Sequence, residues 1–395
     1  MSLPILWAII LVSAAFSQIP SSEILSLADQ KAFREEIDHL ESLQRTAADR
    51  CTVMYTLAGT WAAGGQFREA LDTLQKVIGL NVGLDPTADL GFKRLRQTRE
   101  YQALIDKVRQ DTPPVHHSRL AFTVPESDLV PEGIAYDATG DRFFLGSTLK
   151  HKIVQCTLQH GCRSFVAEGQ DGLGVVLGLK ADRNTKSLWA ASNSDRESAL
   201  FRYDLRSGKL VHKYAVATAG SHELNDLVVD STGAVFVTDT RMGAVLWVRN
   251  GAGRLEVWEP RLRVERANGI ALSADETKLY VAGFPDGITV VDLASRSFRP
   301  IRRPRNLCLA MIDGLASYGD SLVAIQNGIM TNRVVRLSLG SGLEEIDRFE
   351  VLERRNPLFN GISTGAIPHV SHSFRVSVKR CAGFGFPQAL AGRPL

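Results

Sequence analysis

Two patterns of apolar and polar positions divide the chain, and they meet at Asp111-Thr112-Pro113-Pro114. Before that point Phe33, Ile37, Leu40 and Leu43 recur near the helical period, with few β-branched residues between them. The next apolar stretch predicts two helices. Leu57, Ala58 and Trp61 lie on the first, and Phe67, Ala70, Leu71 and Leu74 form the facing stripe of the second. Gly64-Gly65 supplies the turn, the small residues Ala58 and Ala70 permit close approach, and Pro86 stops further helix. The pair resembles a tetratricopeptide unit, and LGFKRLRQTREYQALIDKVRQ reads as the helices that close such units. A single unit cannot bury its own face, so it packs on a neighbour in the chain or binds a protein partner.

Beyond the prolines the period falls to two, in short strands broken by Gly, Asp and Asn. Five segments superpose: those opening at Pro131, Val176, Leu224, Ala267 and Ile312, each a strand, a polar turn and a second strand. A sixth opening, STGAI, starts at Ser363. Their second residues are Glu132, Leu177, Asn225, Asn268, Asp313 and Thr364, at intervals of 43 to 51 residues. That period predicts a six-bladed β-propeller, with HSRLAFTV near residue 117 as the outer strand that closes the ring. Equivalent positions on the innermost strands then surround one axis. Two carboxylates and two amides converging there make a hard oxygen cage suited to Ca²⁺, Mg²⁺ or Mn²⁺. The same residues also have a purely structural reading, since Asn-Gly and Asp-Gly are common turn pairs and Leu177 interrupts the ring.

Composition narrows the function classes. With 44% hydrophobic and 23% charged residues the chain is globular, not fibrous or polytopic. The 46 Lys+Arg against 43 Asp+Glu leave only a small basic excess, so a nucleic-acid partner would need a local basic patch. The one dense basic cluster, Arg299, Arg302, Arg303 and Arg305, is split by prolines and reads as a solvated loop. Residues 1–17 are uncharged, and Ala15-Phe16-Ser17 offers small residues for cleavage before Gln18. The expectation is a signal peptide and a secreted or periplasmic protein, with no stable membrane span after cleavage. An uncleaved anchor is the alternative, because the leader lacks Lys and Arg. Among five cysteines, Cys156 and Cys162 flank a hairpin turn and are either bridged or free, and no CxxC spacing suggests structural zinc.

At the ring residues the sequence resembles the senescence marker protein (regucalcin) and gluconolactonase family. Glu132-Gly133, Asn225-Asp226 with Asp230-Ser231-Thr232-Gly233, Asn268-Gly269 and Asp313-Gly314-Leu315 follow its fingerprints in order. The resemblance covers roughly residues 130 to 365. It implies one divalent cation in the channel, Ca²⁺ first, with Mn²⁺, Mg²⁺ or Zn²⁺ as alternatives, held by Glu132, Asn225, Asn268 and Asp313. It also implies hydrolysis of a lactone or related ester, with Asp313 as general base. His222, Glu223 and Thr364 are the substrate-side candidates. Glu223 departs from the family, whose animal lactonases carry arginine there to hold a sugar acid.

The second departure is the C-terminus. The domains expected are 1–17 signal, 18–112 helical, 116–367 propeller and 368–395 an atypical tail. Apart from an alternating stretch at Ser373–Lys379, the tail reads as foreign to the fold, as a shifted reading frame would leave it, so the last blade is expected to be incomplete. The rival to the hydrolase is a non-catalytic propeller whose helical appendage engages a protein.

Overall fold

The structure is a computed structural model that describes residues 27–46, 51–80, 86–249, 251–284, 287–327, 332–359, 362–366, 373–378 and 388–394; in the last two segments only the backbone is described. The expected signal peptide lies outside these residues, as does most of the tail. By contacts the chain divides into two compact units, a helical one and a β one. Among the described residues no helix is long and apolar enough to cross a membrane.

The helical unit contains α1 (Leu27–Thr46), α2 (Cys51–Ala63), α3 (Phe67–Ile78) and α4 (Arg99–Asp111). Helix α1 starts six residues before Phe33, the first residue of the apolar period. Ala58 and Ala70 are fully buried, which lets α2 and α3 pack as a hairpin about the turn at Gly64-Gly65. The facing stripe on α3 is Ala70, Leu74 and Val77; Phe67 and Leu71 instead line a groove with Ala103 and Leu104 of α4. Thr98 caps α4, its hydroxyl accepting from Tyr101 N–H. By contacts the segment Arg305–Ala310 also belongs to this unit. Cys308 in it is disulfide-bonded to Cys51 (Cα–Cα 6.2 Å), and its N–H donates to Leu80 O at 3.0 Å.

The β unit is a propeller of five blades, each a four-stranded antiparallel sheet read outward in chain order. The inner strands are Pro131–Asp137, Val175–Asp182, Leu224–Val229, Ala267–Leu272 and Ile312–Tyr318. Strands alternate because each sheet face packs on the next blade. One core cluster interleaves Phe144 of blade 1 with Leu188 and Phe201 of blade 2, and another joins Phe236 of blade 3 to Ile270 and Val281 of blade 4. An Asp at the strand end fixes several inner hairpins: Asp137 accepts from Thr139 N–H, Asp182 from Asn184 N–H and Asp230 from Thr232 N–H.

The remaining strands pair as one further sheet, in the order Arg119–Thr123, Gln388–Pro394, Ser373–Val378, Ile362–Ala366. Strand Ile362–Ala366 packs against the inner strands of both blade 5 and blade 1. In blade 1 Cys156 and Cys162 face each other across two strands and are bridged. Two arginines of the basic cluster are paired, Arg299 with Glu344 and Arg302 with Glu345.

Candidate metal centre

All five inner strands, and Ile362–Ala366, carry a register break at the same place. Two residues bulge out there: Glu132-Gly133, Leu177-Gly178, Asn225-Asp226, Asn268-Gly269, Asp313-Gly314 and Ser363-Thr364. A bulge re-aims a side chain without ending the strand. The glycine that follows has a packing cause, not a turn cause. A Cβ on Gly269 would lie 2.6 Å from Asp313 O, and one on Gly314 would lie 2.7 Å from Thr364 Cα, so neighbouring inner strands touch through these glycines.

The bulges bring Glu132, Leu177, Asn225, Asn268, Asp313 and Thr364 to one small cavity, together with Asp226. The register refines one position. Ser363 is the counterpart of Glu132, whereas Thr364 stands where most other blades have glycine. Asp226 likewise replaces a glycine, which puts a third carboxylate in the cavity wall.

Hydrogen bonds commit specific atoms. Asn225 Nδ2 donates to Thr240 Oγ1 at 3.1 Å, which leaves the amide oxygen as the group available to a cation. Asn327 Nδ2 donates to Asp313 Oδ2 at 2.5 Å and to Ile362 O at 2.6 Å, so it fixes the Asp313 carboxylate. The Asn268 side chain also hydrogen-bonds Asp313. Leu227 N–H donates to Asp226 Oδ1 at 2.8 Å.

Burial pushes the Asp313 carboxyl up to about 7; Asn327 and Asn268 oppose this, and the nearby Asp226 charge adds to it. Burial likewise raises Asp226 to about 6 against the Leu227 N–H and the Lys180 ammonium. Lys180 is itself pushed down by burial, with Asp226 pulling the other way. Asp226 and Thr364 also line a second, wider cavity of about 390 Å³, which includes Lys180.

His222 and Glu223 are not among the residues lining the small cavity. His222 Nδ1 bonds the fully buried Asp239 carboxylate at 2.6 Å, and Nε2 lies 3.1 Å from Thr218 O. Glu223 forms an ion pair with Arg241 at 3.1 Å. Both side chains are therefore engaged at the blade edge.

The donor set fits a hard divalent cation in kind: two carboxylates, two amides, and buried acids whose charge a cation would offset. Among the described residues no trio of His, Cys, Asp or Glu is close enough to hold an ion by itself, so the amides have to be part of the set. Asn327 and Asp226 were not singled out from the sequence as site residues. Asp226 stood in a quoted motif, but Asn327 had no signal at all, because its role depends on the pairing of two strands.

Asn327→Ala should move Asp313 still higher, since a contact that favours the ionised form is lost. The pH profile of Ca²⁺ binding should shift to higher pH, and cation affinity should fall about 10- to 100-fold. An unmoved profile would remove Asn327 from the site.

Residues 130–303 match the family model described as "SMP-30/Gluconolactonase/LRE-like region". This segment includes Glu132, Asn225 and Asn268 and ends before Asp313. No curated protein matches the sequence. Among solved structures the chain is similar to a gluconolactonase from Xanthomonas campestris, with TM-score 0.50, 16% identity and coverage of 70% of this chain and 95% of that one. It is similar as well to a PQQ-bound aldose sugar dehydrogenase from Streptomyces coelicolor, with TM-score 0.50, 12% identity and coverage of 70% and 97%. A calcium-binding regucalcin from Agrobacterium tumefaciens aligns with TM-score 0.49, 14% identity and coverage of 71% and 94%. At these identities the two matches at 0.50 establish a shared fold that serves different chemistries. Residues 130–303 of the β unit thus form an SMP-30/gluconolactonase-like region, and a helical region precedes it in the chain.

Proposed function

We propose that this chain is a divalent-metal-dependent hydrolase of the lactonase type. The observation that carries the reading is the convergence of Glu132, Asn225, Asn268 and Asp313 on one cavity by equivalent bulges in four blades. Those four side chains would hold the ion. A bound Ca²⁺ or Mn²⁺ would supply Lewis acidity, polarising the lactone carbonyl and acidifying water.

The protein's own residues do the rest. Asp313, oriented by Asn327, would be the base that takes up the water's proton and returns it to the leaving group. Thr240 holds Asn225 in its orientation, and Leu177 gives the cavity an apolar wall. Thr364 is the substrate-side group retained from the sequence. Because position 223 is Glu where the resembling lactonases carry arginine, a sugar-acid anion is a poor candidate substrate, and a neutral lactone is preferred.

A lactone panel assayed with and without chelator tests this. Hydrolysis that disappears with chelator and returns with Ca²⁺ or Mn²⁺ is expected. The second reading, a non-catalytic binding platform, is favoured by the groove along α3 and α4, where Phe67, Leu71 and Leu104 lie between charged residues. It would be preferred if no cation bound and no lactone opened.

Two further points belong to this proposal. The sheet containing Arg119–Thr123 and Ile362–Ala366 is taken as the sixth blade, closed by the outer strand from the N-terminal side; its packing against blades 5 and 1 supports that. Deleting residues 368–395 should then lower Tm by several degrees, about 2–4 °C per kcal/mol lost. A tail foreign to the fold would leave Tm unchanged. Export is the other point. The two disulfides suit an oxidising compartment, and N-terminal sequencing of the mature protein should begin at Gln18. A sequence beginning at Met1 or Ser2 would overturn cleavage.

A further inference from the structure

The strand that presents Asp313 is entered as two others are, but from a segment tied by a disulfide. Three inner strands are entered through a non-glycine residue in the left-handed region two places before the ring residue: Val130 (φ 42°), Arg266 (φ 49°) and Met311 (φ 61°). Such a conformation is uncommon for a side chain of this size and persists only where neighbours hold it. At Met311 part of the hold is visible: its N–H donates to Phe284 O at 2.6 Å, and Asn327 N–H donates to its carbonyl at 3.0 Å. Asn327 is the same residue whose side chain fixes Asp313.

The other part lies just upstream. Leu307, Cys308, Leu309 and Ala310 are all buried, and the segment Arg305–Ala310 is counted by its contacts with the helical unit. Cys308 is bonded to Cys51, the first residue of α2, and hydrogen-bonded to Leu80 O. Three residues separate this staple from Ile312, the start of the strand, and four separate it from Asp313. Among the described residues, the other disulfide, Cys156–Cys162, closes a hairpin in the outer part of blade 1, at no ring entry.

We propose that the Cys51–Cys308 disulfide is a positioning staple for the candidate site: it holds the left-handed entry at Met311, and through it the register and aim of Asp313. Both sulfurs are buried, so the bond acts as a fixed tie and not as an exposed redox switch. The helical unit thereby acquires a role in the chemistry besides any protein binding. The consequence for cation affinity rests on the function proposed above; the positioning itself does not.

The test pairs Cys51→Ala with Cys308→Val, which keeps both buried sites apolar, and uses Cys156→Ser with Cys162→Ser as the control. Backbone hydrogen exchange is read by mass spectrometry without added metal, and Ca²⁺ binding is then read by calorimetry. In the first variant, exchange over 311–318 should rise at least tenfold with blades 1 to 3 unchanged, and Ca²⁺ affinity should fall at least tenfold. The control should match the wild type in both.

Unchanged exchange over 311–318 overturns the staple. Faster exchange with unchanged Ca²⁺ affinity overturns its link to the site. A wild-type chain that neither binds Ca²⁺ nor opens lactones overturns the proposed function, and exchange alone then decides the staple. Should the first variant not fold, the same exchange is measured on the single replacement Cys51→Val, which breaks the bond and leaves Cys308 in place, with the same outcomes.

Discussion

Asp313→Asn should cut lactone hydrolysis by about 10²- to 10⁴-fold, the range for loss of a positioned general base. It should also raise the thermal stability of the cation-free protein at pH 8. The two effects have one cause. The folded-state pKa of Asp313 is about 7, above its ordinary value of 3.8, chiefly through burial. Between those values the folded protein keeps a proton that the unfolded chain has released. Stability from this group is therefore fully present below about pH 4 and is lost as pH rises through about 7. At pH 8 the buried charge is carried at full cost, and a neutral amide removes that cost. Asparagine is nearly isosteric and can still accept from Asn327 Nδ2, so the local hydrogen bond survives. Urea unfolding at pH 5 and pH 8 beside a lactone assay checks both halves. A variant that retained full activity would take Asp313 out of the mechanism, and one less stable than the wild type at pH 8 would show that its burial is not the dominant cost.

The second large effect is the response of the whole protein to a cation. Addition of Ca²⁺ at about 100 times its Kd should stabilise the chain by about 2.7 kcal/mol. At about 2–4 °C per kcal/mol for a domain of this class, that is a Tm increase of about 5–10 °C. The increase should be pH-dependent in a stated direction. Ligand carboxylates must be ionised, and binding displaces their protons. With Asp313 near 7 and Asp226 near 6, the site is largely protonated at pH 5 and largely open to the ion at pH 8. The shift should therefore grow across that range and approach zero below it. Asn225→Ala should remove most of it, since Asn225 brings a neutral donor that does not titrate. Differential scanning fluorimetry at several pH values is sufficient. A shift of the same size at pH 5 and pH 8 would place the ion at some other site, and no shift at any pH would favour the binding platform.

These expectations rest on residues that were legible to different degrees. Glu132, Asn225, Asn268 and Asp313 could be aligned because they repeat at a nearly constant interval, and a propeller turns equal spacing in the chain into convergence at the axis. The glycine beside them was equally visible, but its cause was not. A turn and a close strand contact leave the same dipeptide, and only the approach of Gly269 to the Asp313 backbone separates the two. Thr364 was aligned one place late because the last repeat is the most divergent, and strand register put Ser363 opposite Glu132's position. His222 and Glu223 lie close to Asn225 in the chain, yet their side chains are taken up by Asp239, Thr218 and Arg241.

What the sequence determined by itself was whatever is periodic: helices before Asp111, alternating strands after the prolines, and an oxygen-bearing residue at the head of four of the five inner strands. Periodicity is local, and each repeat announces itself without knowledge of the others. What only the tertiary structure decided was whatever depends on two distant segments at once. Asn327 reaches Asp313 across a strand pair, Asp226 enters the cavity wall because a neighbouring blade closes on it, and Cys51 meets Cys308 across 257 residues. No spacing rule encodes these pairs, because the distance along the chain between their members is set by everything folded in between.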